Sequence, residues 1–355
     1  LVIQENIPLA PLTTFKVGGP ARYFVDATSE LEVKTALAHA VERRLPLFVL
    51  GGGSNLVVAD EGWPGLVLKI SIAGIHKHHE TADEVFQVGA GQDWDSFVAH
   101  SVEQNYAGIE CLSGIPGTVG GTPIQNVGAY GQEVANTIIH VRALEIATSQ
   151  THDLWNRDCG FAYRSSIFNT TQRGRYIVLR VGYRLTQNGI SKIDYADLKR
   201  HFAGSPGIPS LQQVRDAVRA IRQSKAMLIV EGDDDCRSAG SFFKNPIVNQ
   251  AEANRITALA QQRAPGNPFP LYSSEDGQVK LSAAWLVEQA GIQKGYSRGP
   301  VGISHKHTLA IVNRGGARAT DIIALKNEVQ QRVLDVWGIR LNPEPVFLGF
   351  PEGTL

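Results

Sequence analysis

Between Ser113 and Gly131 the chain reads SGIPGTVGGTPIQNVGAYG, nineteen residues with six glycines and two prolines. Glycine weakens helix and strand interiors, and proline removes a backbone donor, so no long regular element fits here. A loop of this length inside a compact domain marks function. A second glycine run, Gly51-Gly52-Gly53-Ser54-Asn55, follows the apolar, strand-like segment Leu45 to Leu50. The dinucleotide fingerprint needs Gly-x-Gly-x-x-Gly opening a helix. Here Gly51 and Gly53 are followed by Leu56 where the third glycine belongs, and Gly89 and Gly91 by Trp94. No Gly-x-x-x-x-Gly-Lys-[Ser/Thr] occurs, so the Rossmann and P-loop readings are poor. The two loops can still bring backbone N–H groups close to a pyrophosphate, as nests do. The competing reading is turns that merely need positive φ.

Around these loops the pattern is mixed. Ser29 with Glu32 reads as a capping box opening a helix to Arg44, with Val33, Leu37, Ala40 and Val41 on one stripe. Leu66 to Ile70, Val85 to Gly91 and Tyr176 to Leu185 read as strands, and Asp93 to Glu103 as a helix. Ser210 with Gln213 is a second capping box, opening a helix to Lys225, and GSPGIP (Gly204 to Pro209) before it reads as a linker. Helices are expected at Ser282 to Ala290, stopped by Gly291, and at Thr320 to Trp337, stopped by Gly338, with a strand at Thr308 to Asn313 between them. This order of elements points to an α+β nucleotide-binding chain.

At 355 residues, two or three domains are expected. An apolar fraction of 43% against 19% charged excludes disorder for the bulk of the chain. Lys+Arg and Asp+Glu both total 34, so no global basic field attracts nucleic acid or anionic lipid. The longest apolar runs fall far below the roughly 18 residues of a membrane helix. Three scattered cysteines, Cys111, Cys159 and Cys236, without Cys-x-x-Cys, argue against a disulfide framework or zinc site and for a reducing compartment. Cys236 is expected at the surface. The start, LVIQENIPLAPLTTF, lacks the basic and apolar regions of a signal peptide and is not expected to be one.

Among polar motifs, HKHHE (His76 to Glu80) suggests a metal cluster, but adjacent histidines point different ways and a solvated loop is the expectation. His305 and His307, just before a strand, are spaced to share a face. Tyr163-Arg164 supplies a planar guanidinium suited to carboxylate or phosphate. No Gly-x-Ser-x-Gly surrounds Ser241, which disfavours a hydrolase nucleophile.

Taken in order, TTFKVGGPA (Thr13 to Ala21), LGGGSNLVV (Leu50 to Val58), SGIPGTVGG and IQNVGAYG (Ser113 to Gly131), FAYRSSIF (Phe161 to Phe168), AGSFFKNP (Ala239 to Pro246), GQVKLSAAWLVEQAG (Gly277 to Gly291) and NPEP (Asn342 to Pro345) resemble one family nearly end to end. It is the UDP-N-acetylenolpyruvoylglucosamine reductase (UDP-N-acetylmuramate dehydrogenase) family of peptidoglycan precursor synthesis. The resemblance implies an α+β chain with an FAD-binding fold of the vanillyl-alcohol-oxidase (PCMH) kind and a C-terminal α+β substrate-binding domain. It implies FAD-binding subdomains at residues 1–70, with 339–355 returning to the first, and at 71–209, followed by a substrate-binding domain at 210–338. FAD and NADPH are the implied cofactors and no metal is. The implied setting is cytoplasmic, with small-molecule substrates, no nucleic acid or membrane partner, and a monomer favoured.

Residue by residue, the resemblance gives Arg164 and Glu344 the task of polarising the enolpyruvyl carboxylate, and Ser241 that of proton donor. Glu344 can donate a hydrogen bond only when protonated, so its pocket is expected to raise its pKa. The cofactor would lie on Gly51, Gly52, Gly53, Ser54, Asn55 and Leu56, and on Ser113, Gly114, Ile115, Pro116, Gly117, Gly120 and Gly121. Gln125, Asn126, Gly128, Ala129, Tyr130 and Gly131 complete that set. Tyr163, Tyr195, Lys225, Asn245, Tyr272 and His307 match positions around the substrate, and Tyr195 in DYADL marks the subtype with an extra Tyr-bearing loop. Two departures stand out: the segment Ala226 to Ser238 is longer than the common form, and Pro345 replaces the usual Val. The rival readings are an FAD oxidase of the same fold, acting on a hydroxy acid or alcohol, and a non-catalytic flavin or nucleotide-sugar binder.

Overall fold

A computed structural model describes every residue except 81–82, 274–276, 352 and 354–355. The chain packs as two units. One comprises Leu1–Ile7, Pro20–Gly53 and Trp63–Ile229; the other comprises Pro8–Gly19, Ser54–Gly62 and Val230–Leu355.

In the first unit, Ser29 caps the helix Glu30–Glu42 by accepting from the Glu32 N–H at 3.2 Å. The expected box closes differently, because Glu32 accepts from the N–H of Thr28 at 2.7 Å. Val33, Ala36, Leu37 and Ala40, at helical spacing, bury one face against the parallel strands Pro20–Ala27 and Trp63–Ile70. Leu47–Leu50 pairs in parallel with the latter and ends at the first glycine loop. A second sheet runs in the order Thr151–Trp155, Ile138–Glu145, Tyr176–Gln187, Asp83–Gly89, Ile75–Glu80, all antiparallel. Both sheets and the helix Trp94–Glu103, capped by Asp93, share one core.

The HKHHE stretch is not a loop. Its backbone forms the edge strand Ile75–Glu80, registered Ile75 to Val88 and Lys77 to Phe86. Lys77 reaches back to the Tyr106 hydroxyl at 2.6 Å and to Glu84 at 2.6 Å, while His76 and His78 are exposed, as suits an edge protected by polar side chains.

Ser210 and Gln213 form the complete capping box of the helix Leu211–Ser224. The expected domain boundary just before this helix is not where the chain divides. Val214, Ala217 and Val218 pack with Cys111 and Leu198, which keeps the helix in the first unit and moves the division to Ile229. Its polar face is tied to the same unit. Arg215 grips Asp95 through two bonds at 2.6 and 3.1 Å, Arg219 pairs with the same carboxylate, and the Gly114 N–H donates to it at 2.6 Å.

In the second unit, the helix Ala319–Trp337 buries Ile322, Leu325, Val329, Val333 and Trp337, and Gly338 in the left-handed region (φ 70°) ends it. Its first turn is capped by Asp60, which accepts from the Ala319 N–H at 2.8 Å and the Thr320 N–H at 3.2 Å. Phe15, Val17 and Val57 enter this core from early in the chain. The C-terminal strand Val346–Leu348 pairs in parallel with Leu56–Val58, and both strands lie in the second unit. Cys236, expected at the surface, is buried in the turn Asp234–Cys236.

Burial pushes the Asp95 carboxyl up, but Arg215, the Gly114 N–H and Arg219 outweigh it and hold the group below the usual carboxylate range. A carboxyl depressed on folding contributes stability in full above its unfolded pKa of about 3.9, and loses it as pH falls through the folded value. Asp95→Asn is therefore expected to lower stability by about 2 kcal/mol at neutral pH. Urea unfolding of both proteins at neutral and strongly acidic pH should show the difference shrink with acid.

Candidate active site

The two glycine loops of the first unit meet backbone to backbone. A Cβ on Gly52 would lie 2.6 Å from the Gly117 Cα, and one on Gly51 would lie 3.1 Å from Thr118 Oγ1. No side chain fits between them, so main-chain groups line this cradle. Thr118 Oγ1 is buried and, among the described residues, has no hydrogen-bond partner. A buried hydroxyl without a partner is costly unless a ligand completes it. These features fit a group that presents phosphate oxygens, as the pyrophosphate of FAD does.

Other loop residues shape the cradle. Asn126, in the left-handed region (φ 45°), is buried; its amide donates to Ala162 O at 3.2 Å and accepts from the Ala135 N–H at 3.1 Å. Ser113 donates to Glu110 O at 2.6 Å. Gly128–Ala129 pairs with Gln132–Glu133, so Tyr130 (φ 51°) and Gly131 (φ 85°) form the tight two-residue tip that positive φ allows. Ser54, Asn55 and Leu56, grouped with the cofactor residues in the sequence, fall in the second unit, whereas Gly51–Gly53 fall in the first.

Tyr130 connects the cradle to the expected substrate residues of the first unit. Its ring meets that of Tyr195 edge-on at 5.4 Å, and its hydroxyl is hydrogen-bonded to Arg222. Burial pushes the Tyr130 hydroxyl up to about 12 against the pull of Arg222, so it remains protonated at neutral pH. Tyr195 precedes the short helix Ala196–His201, whose Asp197 binds Lys225 at 2.5 Å. Tyr195 itself is 45% exposed. Tyr163 and Arg164 form the tip of a second tight turn, closed by reciprocal bonds of 3.0 Å between Ala162 and Ser165. Arg164 is held in the left-handed region (φ 53°), which a non-glycine residue adopts at a cost, and its guanidinium lies 5.7 Å from the Tyr163 ring.

The second unit brings together Ser241 and Glu344. Phe243 and Pro343 form an antiparallel bridge, the Glu344 N–H donates to Phe242 O at 2.8 Å, and the Lys244 N–H donates to Asn342 O at 2.9 Å. Asn55 donates to the Glu344 carbonyl at 3.2 Å. Asn245 accepts from the Ala283 N–H at 3.0 Å, and Tyr272 is exposed on the strand Leu271–Ser273. His305 and His307 do not share a strand face. They lie in a turn, where His305 stands against Asp235 and His307 Nδ1 accepts from the Leu309 N–H at 3.0 Å.

Two residues escaped sequence reasoning. Thr118 lies inside the glycine loop, where a threonine carries no motif of its own. Arg222 lies in the last turn of the helix that Lys225 caps, yet its side chain sits against the position a Gly114 Cβ would take, at 3.5 Å. Burial pulls its guanidinium below the usual value, partly offset by Tyr130 and Asp95, while Arg164 adds repulsion. A helix-borne Arg so close to a glycine-rich turn is the signal, legible only once the helix is placed against the loop. Among the described residues no three His, Cys, Asp or Glu side chains are placed to hold a metal.

Comparison with known proteins gives these features a context. Residues 21–154 match an FAD binding domain, and residues 232–348 match the UDP-N-acetylenolpyruvoylglucosamine reductase C-terminal domain. The UDP-N-acetylenolpyruvoylglucosamine reductase of Thermobifida fusca is 48% identical over 351 residues, covering 97% of this chain and 98% of that one. That of Streptomyces avermitilis is 44% identical over 354 residues, covering 98% and 96%. The crystal structure of the reductase from Thermus caldophilus superposes with a TM-score of 0.65 at 26% identity, covering 98% of this chain and all of that one. The fold is that of an FAD-dependent oxidoreductase with an FAD binding domain. Within that class, the chain belongs to the UDP-N-acetylenolpyruvoylglucosamine reductase family.

Thr118→Val should weaken FAD retention about tenfold while leaving the melting temperature of the apoprotein unchanged or slightly raised, since no intrachain bond is lost. Reconstitution of apoprotein with FAD, followed by flavin fluorescence, measures the first effect, and thermal unfolding the second.

Proposed function

We propose that this chain reduces UDP-N-acetylglucosamine enolpyruvate to UDP-N-acetylmuramate with NADPH. The observation that carries the residue-level reading is the pairing of the Ser241 and Glu344 segments through the Glu344 N–H to Phe242 O bond of 2.8 Å. The Gly51–Gly53 and Ser113–Gly131 loops would hold FAD, which when bound would supply the hydride chemistry between NADPH and the terminal vinyl carbon of the substrate.

Negative charge then builds on the carbon beside the substrate carboxylate and spreads into it. Arg164, carried at the tip of its tight turn, offers a guanidinium to that developing charge. Glu344 helps only in its protonated form, because an anionic carboxylate would repel the charge. Ser241 gives the proton that completes the lactyl ether; a hydroxyl suffices as acid because the carbanion-like intermediate is so strong a base. Tyr195, Lys225, Asn245 and Tyr272 bind the uridine diphosphate, and Arg222 adds a buried positive charge beside Tyr130. His307, whose Nδ1 accepts a backbone N–H, carries its proton on Nε2 when neutral and presents that donor to substrate.

The three thiols are buried and unlinked, which supports a reducing, cytoplasmic setting, and a monomer is the simplest state for a site built from one chain. Neither the oxidase nor the non-catalytic reading has support from the relatives.

Ser241→Ala should leave flavin reduction by NADPH within about twofold of wild type, and slow flavin reoxidation by the enolpyruvyl substrate roughly a thousandfold. Equal loss in both half-reactions, followed by stopped-flow flavin absorbance, rejects the proton-donor role. Lys225→Ala and Tyr195→Phe should raise KM for the enolpyruvyl substrate more than they lower kcat; a pure kcat loss contradicts diphosphate binding.

A further inference from the structure

The segment Ala226 to Ser238 contains the acidic run Asp233-Asp234-Asp235. Its structure has a direction. Asp235 is buried, and one of its oxygens accepts from the Ser304 hydroxyl at 3.1 Å and from the His305 N–H at 3.0 Å. Its other oxygen lies 3.3 Å from His305 Nδ1. Because Ser304 spends its proton on Asp235, its oxygen is left to accept, and it receives the N–H groups of Lys306 at 3.0 Å and His307 at 3.2 Å. One carboxylate thus organises three successive backbone donors, directly or through one hydroxyl.

The rest of the acidic run braces this arrangement. Asp233 accepts from the Asp235 N–H at 3.0 Å and pairs with Lys306 at 2.6 Å. Asp234 pairs with Arg237, whose Nε donates to Asn313 O at 2.9 Å. The turn so held ends at Leu309, whose N–H donates to His307 and whose carbonyl accepts from the Phe242 N–H at 2.7 Å. Phe242 directly follows Ser241, and its own carbonyl receives the Glu344 N–H.

We propose that Asp235 is a positioning residue for the proton-transfer step. Through Ser304 it sets the His305–Leu309 turn, which orients the His307 ring and supplies the carbonyl that anchors the backbone beside Ser241. The segment is in this view a brace for the serine. The inference rests on the assignment of Ser241 as proton donor.

The test uses the FAD-loaded full chain and the two half-reactions separately. Asp235→Ala removes the oxygen that receives the Ser304 and His305 donors. It is expected to leave flavin reduction by NADPH within twofold and to slow reoxidation by the enolpyruvyl substrate tenfold to a hundredfold. Ser304→Ala keeps the carboxylate but cuts the relay and should reproduce this selective loss, and the double variant should be no slower than Asp235→Ala alone. Should Asp235→Ala fail to fold, Ser304→Ala decides alone. Equal slowing of both half-reactions, additive losses in the double variant, or an unaffected Ser304→Ala overturns the proposal. If Ser241→Ala itself shows no selective loss, the proton-donor assignment fails first; a selective Ser241→Ala beside a silent Ser304→Ala sinks the brace alone.

Discussion

The approach of Gly52 to within 2.6 Å of Gly117, measured from where its Cβ would stand, is the constraint on which the cofactor cradle depends. Two main chains can come this close only where neither carries a side chain, and the contact leaves peptide groups as the lining. The cradle is then held rather than merely formed. The Asp95 carboxylate ties Gly114 to Arg215 and Arg219 on a helix more than a hundred residues later, and Asn126 bridges the loop to Ala162 beside Tyr163 and Arg164. Each tie is a charged or amide group satisfied on several sides, which is how a long loop acquires one conformation.

The chain carries no net charge, yet its charged groups are grouped to purpose. Arg222, Arg164 and Lys225 belong to the first unit, with Asp95 and Asp197 as partners for the helix-borne cations. In the second unit an acidic run does the opposite task, gathering backbone N–H groups and one lysine around a turn. Global neutrality therefore says nothing about local field. It leaves an anion site open.

Much of the local structure was legible. Ser29, Asp93, Ser210 and Ser282 each cap the helix they were expected to begin, because a cap is a contact within three residues. The broken dinucleotide fingerprints were also informative, since a missing third glycine bars close helix packing whatever the rest of the fold does. The failures have a common cause. HKHHE looked like a loop because an edge strand with polar side chains has no apolar alternation to reveal it. GSPGIP looked like a domain linker because composition cannot show that Val214, Ala217 and Val218 beyond it pack onto Cys111 and Leu198. Cys236 looked superficial because its turn is buried by Asp235 contacting residues seventy positions away.

The amino-acid order alone settled the glycine loops, the starts of the four capped helices and the family, for these depend on backbone conformational limits, contacts of short range and strings of fixed residues. It could not say that Ser241 and Glu344 would stand on paired segments, that Arg222 would turn toward Gly114, or that Thr118 would be left with an unfilled hydroxyl. Those facts arise from long-range packing, in which a residue's partner is chosen by burial and hydrogen-bond satisfaction, and no spacing along the chain encodes that choice.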